Sequence, residues 1–127
     1  MNKLTVALIM LLFTVFMLTG SVGSSSVIYK GMASWYSEDD EGILVTTANM
    51  ERFYDQAWTC AIWDMPFNTI LKVTNVDNGK YMYVRVNDRG PAKRLVAEGR
   101  IIDLTKAGFS IIGDLEDGLI RVKIEVL

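Results

Sequence analysis

The stretch Val84-Arg85-Val86-Asn87-Asp88-Arg89-Gly90-Pro91, followed by Gly99-Arg100-Ile101-Ile102-Asp103-Leu104, constrains this chain more than any other. An alternating strand runs into a sharp, charged turn. After the Gly-Pro pair a second apolar strand ends in a carboxylate. Two aspartates at the ends of two buried strands are expected at the rim of a small β-barrel. The chain has no histidine, so acid–base chemistry falls to carboxylates.

The same count narrows the rest. The single cysteine, Cys60, permits no internal disulfide, so the core must hold by burial alone. Without histidine there is no Cys–His nucleophile pair and no zinc site of the usual Cys/His type. Cys60 lies between Thr59 and Ala61 in an apolar run and reads as a small buried hydrophobe. Glu38-Asp39-Asp40-Glu41 lacks the spaced oxygen ligands of an EF-hand and reads as a solvated loop. Neither a metal nor an organic cofactor is expected. The balance of 13 basic and 15 acidic residues, with no basic run, argues against nucleic acid as a partner.

Residues 1–23 read as a secretory signal: a basic start at Lys3, an apolar run from Leu4 to Leu18, then small residues up to Gly23. The run is shorter than the ~20 residues a membrane span needs, although an uncleaved anchor is the alternative. Residues 24–29 read as a linker, and 30–127 as one domain. A secreted or periplasmic monomer is expected.

Along that domain, Val27 to Tyr36 reads as a strand, with Gly31 marking a bulge or a close backbone approach. Gln56 to Trp63 is a second strand candidate, ended by Pro66. Thr69 to Asn75 and Tyr81 to Asn87 flank Asn78-Gly79, which predicts a hairpin with a type I′ turn. Continued alternation places Asp88 on the Met82, Val84, Val86 face. Burial there favours the neutral acid and Arg89 the anion. Leu104 to Gly113 is the one helix candidate, with Ala107, Ile111 and Ile112 as its apolar positions, Gly113 as the stop and Thr105 as an alternative start, and Leu119 to Leu127 is the last strand. Five or six strands and one short helix predict a mainly β fold, a small closed or nearly closed barrel.

Five segments occur in order: Gly31-Met32-Ala33-Ser34-Trp35-Tyr36, then Thr47 to Tyr54, then Met65 to Asn75, then Val84 to Pro91, then Gly99 to Leu104. Together they resemble the rare lipoprotein A (RlpA) family of the bacterial cell envelope, over essentially the whole of residues 30–127. The resemblance implies a six-stranded double-psi β-barrel, related to expansins, that cleaves or binds peptidoglycan glycan strands. It implies lytic transglycosylase chemistry, with Asp88 as the catalytic aspartate and Glu51 as the active-site glutamate. Trp35 and Tyr36 are expected as a sugar-stacking wall. Arg89, Arg100 and Asp103 are expected as substrate contacts, with ion pairing between these arginines and aspartates as the alternative.

The chain departs from the family pattern in three places. Ile62 stands where a histidine belongs. Met50 replaces the glycine of the usual Asn-Gly-Glu. Ser21 replaces the lipidated cysteine of a lipobox-like Leu18-Thr19-Gly20. The first of these keeps a second reading open: a non-catalytic, wall-binding or wall-loosening module.

Overall fold

The computed structural model describes residues 26–127. The signal assignment on 1–23, the serine in the lipobox-like segment and the first residues of the linker lie outside the described residues. Six strands form one closed barrel: β1 (Ile28–Tyr36), β2 (Thr59–Ala61), β3 (Ile70–Asn75), β4 (Tyr81–Asp88), β5 (Arg100–Thr105) and β6 (Ile120–Val126). Around the barrel the order is β1-β5-β2-β4-β3-β6, and β6 closes onto β1. β1 runs parallel to β5 and β2 parallel to β4, whereas the remaining neighbours are antiparallel. The chain leaving β4 must therefore pass over β2 to enter β5. That crossing matters for function: Ala61 of β2 pairs with Asp88 on one side and with Asp103 on the other.

Alternation fills the barrel. Met82, Val84 and Val86 of β4, Leu71 and Val73 of β3, and Val122 and Ile124 of β6 all point inward and are buried. Cys60, Ile102, Leu104, Phe109 and Ile112 complete the core. Cys60 is fully buried, and burial pushes its thiol well above the usual range, so it packs rather than reacts. Gly31 is a close approach: a β-carbon there would meet the Gly99 carbonyl oxygen at 2.9 Å. The β1–β5 register shifts just after it, between Met32 and Ala33.

Four expectations need correction. The 56–63 strand shrinks to Thr59–Ala61. A second α-helix exists, so the described residues hold two: α1 (Lys93–Ala97) and α2 (Lys106–Ile112). α1 is a single turn in the crossover and buries no residue, so it leaves no apolar stripe to read. α2 starts on Thr105, whose hydroxyl accepts from the Gly108 N–H at 3.1 Å, but its buried face is Gly108, Phe109 and Ile112, with Ile111 exposed.

The fourth concerns the Asn-Gly hairpin. Gly79 has a positive φ, but Asn78 does not, and the loop between the strands is five residues long, 76–80, with the Asn75 N–H donating to the Lys80 carbonyl at 2.8 Å. The asparagine side chains decide this. Asn75 Oδ1 accepts from the Asp77 N–H at 3.0 Å, which starts a turn one residue early. The amides of Asn75 and Asn78 both donate to the Ile112 carbonyl at the end of α2, at 2.8 and 2.9 Å.

Candidate active site

β4 brings Asp88 to the mouth of the barrel opposite that hairpin, though not by simple alternation. The β2–β4 register slips between Cys60 and Ala61, so that Val86 faces Cys60 and Asp88 faces Ala61. Asn87 at the slip is buried. Asp88 therefore leaves the inner face and sits half-buried at the rim. Its Oδ1 accepts two backbone N–H groups, from Ala48 and from Arg89, both at 2.9 Å. Its Oδ2 accepts from the Tyr36 hydroxyl at 3.3 Å. Tyr36 itself is buried and stacks on Phe53 with ring centroids 4.4 Å apart. Burial and the neighbouring Asp88 carboxylate raise the Tyr36 phenol far above its ordinary range, so it stays a donor.

Glu51 is a different kind of carboxylate. Arg85 grips it with two bonds, Nη1 to Oε1 at 2.7 Å and Nη2 to Oε2 at 2.8 Å. Asn49 Nδ2 and Asn87 Nδ2 add bonds at 2.9 and 3.2 Å. With the Arg85 guanidinium first among these causes, Glu51 is lowered from about 4.5 to about 2. It is an anion at any ordinary pH and has no proton to give. Glu51 and Asp88 are nevertheless linked through the loop between them. Thr47 N–H donates to the Glu51 carbonyl at 2.7 Å, and Asn49 N–H to the Asn87 carbonyl at 3.3 Å.

The other candidates divide. Asp103, across Ala61 from Asp88, accepts from the Ser34 hydroxyl and pairs with Arg100 at 3.2 Å. A β-carbon at Gly90 would lie 3.3 Å from its Oδ2, so Asp103 abuts the turn that carries Asp88. Arg89 turns away from Asp88: its Nη1 donates to the Ile62 carbonyl at 3.0 Å and its guanidinium lies 4.0 Å from the Phe67 ring centroid. Trp35 is held elsewhere, packed against the core with Nε1 donating to the Leu115 carbonyl at 3.1 Å. Tyr36 is the aromatic beside Asp88. Ile62 is buried in the core, its backbone N–H donating to the Asp88 carbonyl at 3.3 Å. It lines a separate cavity of about 220 Å³ with Trp63 and Val96.

Asp88 faces a groove of about 490 Å³, walled by Tyr36, Ile43, Leu44, Ala48 and Met50. Leu44 and Met50 are 76% and 82% exposed, an apolar rim facing solvent above one carboxylate. Met50 has φ 73°, the left-handed region that favours glycine. A larger cavity of about 980 Å³ lies at the hairpin end, where Asp77 is engaged by Arg121 and Asp114 caps the turn Leu115–Asp117. Sequence reasoning missed Arg85, Asn49 and Asn87. The one signal for Arg85 was a lone cation on the outward face of β4, in line with Tyr81 and Tyr83.

A closed six-stranded barrel with two parallel crossovers and a carboxylate at one mouth defines the class, a double-psi β-barrel. The chain belongs to the family of such barrels described as lytic transglycolase, whose pattern matches residues 28–124. It is 43% identical over 97 residues to the endolytic peptidoglycan transglycosylase RlpA of Campylobacter jejuni, covering 76% of this chain and 33% of that protein. It is 44% identical over 98 residues to the Vibrio cholerae protein of the same name, covering 77% and 35%. The chain thus matches about a third of the length of these relatives. Among solved structures, the Streptomyces papain inhibitor superposes with a TM-score of 0.61 at 18% identity, over 80% of this chain and 94% of that one. A Clavibacter michiganensis expansin gives 0.58 at 22%, over 80% and 50%. A mutant of that expansin, solved with cellohexaose, gives 0.57 at 20%. These structures share the fold.

Proposed function

We propose that this protein is an envelope-located lytic transglycosylase that cuts peptidoglycan glycan strands, with Asp88 as the single acid and base. The observation that carries this reading is the division of labour on the Asp88 carboxylate. Oδ1 is committed as an acceptor to two backbone N–H groups, which leaves Oδ2, beside Tyr36 on a residue that lines the groove, as the oxygen to carry a proton. Asp88 Oδ2 gives that proton to the glycosidic oxygen as the bond to the muramyl anomeric carbon breaks. The carboxylate then takes the proton of the same sugar's hydroxyl as its oxygen attacks that carbon and closes the anhydro ring. The proton balance closes on one residue, so the second carboxylate of an ordinary glycosidase is not required. Tyr36, a neutral phenol throughout, donates to Oδ2 while it is anionic.

Relatives named endolytic peptidoglycan transglycosylases support the substrate, and a structural neighbour solved with cellohexaose is in keeping with a polysaccharide ligand. Glu51 enters this reading as a fixed anion, and Trp35 as a packing residue. Asp103, Arg100 and Arg89 remain candidate contacts at the edge of the site.

A second reading, a non-catalytic wall-binding module, is favoured by one observation: the position at which the family resemblance implies a histidine is Ile62, buried in the core. One experiment separates the two. The chain and its Asp88→Asn variant are incubated with peptide-stripped glycan strands, and soluble products are read by mass spectrometry. Anhydro-ended fragments from the parent and none from the variant are expected. Sedimentation with the wall material and no fragments from either protein overturns the enzyme and leaves the binding module.

A further inference from the structure

The Arg85–Glu51 pair sits one turn of backbone away from Asp88, and every bond between them is in place. Arg85 holds both Glu51 oxygens and also donates to Asn68 Oδ1 at 2.9 Å, so it is anchored to two loops at once. A guanidinium bound in this forked manner fixes direction as well as distance. Glu51 in turn holds the turn that precedes it. Its carbonyl takes the Thr47 N–H at 2.7 Å, its N–H donates to Asn49 Oδ1 at 3.2 Å, and its Oε1 takes the Asn49 amide at 2.9 Å. Inside that turn lies Ala48, whose N–H is aimed at Asp88 Oδ1. The turn is also strained, because Met50 is held at φ 73°. A strained, exposed turn stays in one conformation only when something outside it holds it there.

We propose that Arg85 is a positioning residue: through Glu51 it locks the 47–51 turn so that the Ala48 N–H meets the Asp88 carboxylate and leaves Oδ2 as the working oxygen. This deepens the reading of Asp88 as the acid and rests on it for its catalytic meaning, but the latch itself is testable without turnover. Arg85 touches neither the groove nor Asp88. Its effect passes through one carboxylate and one backbone amide.

The test is amide hydrogen exchange and chemical shift, by NMR, on the chain, Arg85→Gln, Arg85→Lys and Glu51→Gln. In the parent the Ala48 amide is protected. In Arg85→Gln the Ala48 and Thr47 amides exchange roughly tenfold faster or more, whereas Val84 and Val86 in the β4 ladder keep their rates. Arg85→Lys recovers only part of the protection, because a point charge lacks the fork. Where Arg85→Gln loses its dispersed core methyl signals, Glu51→Gln, on a residue more exposed than Arg85, reports the same loss. An Ala48 amide unchanged in a folded Arg85→Gln or Glu51→Gln overturns the latch. Where the parent releases fragments, kcat in Arg85→Gln falls by about a hundredfold with KM held, since a misplacement of about 1 Å carries that cost. An equal rise in KM instead overturns the positioning role. A parent that releases nothing defeats the reading of Asp88 as an acid and leaves the exchange result standing.

Discussion

The two ends of the barrel are made of the same residue types and used in opposite ways. At the hairpin end, polar side chains are spent on the fold. Asn75 and Asn78 close the last carbonyl of α2, Asp77 pairs with Arg121, and Asp114 caps its own turn. The cavity there is the larger of the two, yet two of the acids that line it, Asp77 and Asp114, already have partners. At the Asp88 end, one carboxylate lines a groove, a methionine sits in a glycine conformation, and Leu44 and Met50 are left bare. Spent polar side chains mark the structural end, and an exposed apolar rim with local strain marks the end proposed to work.

The largest effect expected tests the working end. Asp88→Asn keeps an oxygen that accepts from Ala48 and Arg89, so the turn persists, but it removes the transferable proton. Cleavage falls by about 10²–10⁴ with the thermal midpoint nearly unmoved, read as released anhydro fragments beside a melting curve. A variant that cleaves at the parent rate breaks the comparison. Next comes the structural end. Asn75→Ala takes from the Ile112 carbonyl one of its two amide donors, Asn78 keeping the other, and takes from the Asp77 N–H its acceptor, at a cost of about 0.5–1.5 kcal/mol in urea unfolding. Fragment release by the folded fraction stays at the parent level. A loss of cleavage larger than the loss of stability would mean that the two ends are coupled.

How much of this was legible in the sequence follows the same division. β4 and β6 declare themselves by alternation, because inward positions are apolar wherever one face packs. Thr105 declares the start of α2, because its hydroxyl serves a helix N–H. The misread elements are those in which side chains bond locally. Asn75 starts a turn that a bare Asn-Gly would not, and α1 buries nothing, so no periodicity exists to find. Asp88 was legible as a site candidate but not in its orientation, since the slip at Asn87 leaves no mark in the residue pattern. Asp103 was legible as a candidate, with ion pairing to Arg100 as the alternative, though not its contact with Ser34. Arg85 was not legible, because its partner lies 34 positions away on a loop.

A smaller effect sharpens the meaning of the strain. A left-handed backbone costs a non-glycine residue about 1–2 kcal/mol, and glycine gives back about 0.5–1 kcal/mol of that in unfolded-chain entropy. Met50→Gly is therefore expected to raise stability by up to about 1 kcal/mol by urea midpoint, while stripping the most exposed apolar side chain from the groove rim. Greater stability with weaker retention on glycan strands is the signature of strain kept for the site. Greater stability with unchanged retention would place Met50 on neither side of the comparison.

The smallest effect is in the pH dependence of stability, and its sign is fixed. Glu51 has its folded value lowered to about 2 from about 4.5, chiefly by Arg85. A depressed carboxylate contributes stability above its unfolded value and loses it as the pH falls through the window from about 4.5 down to about 2. Arg85 stays charged across that window, so the loss is the protonation of Glu51 alone. The Glu51 side chain is 38% exposed, which makes this a screened pair on the order of 0.2–1 kcal/mol and not a buried one. Melting curves from pH 5 to pH 2 are expected to fall less steeply in Glu51→Gln than in the parent, with the difference shrinking in added salt. Equal slopes would mean that the clamp on Glu51 adds nothing to global stability. The latch over Ala48 would then be a purely local device, which is what a working end that spends little on the fold requires.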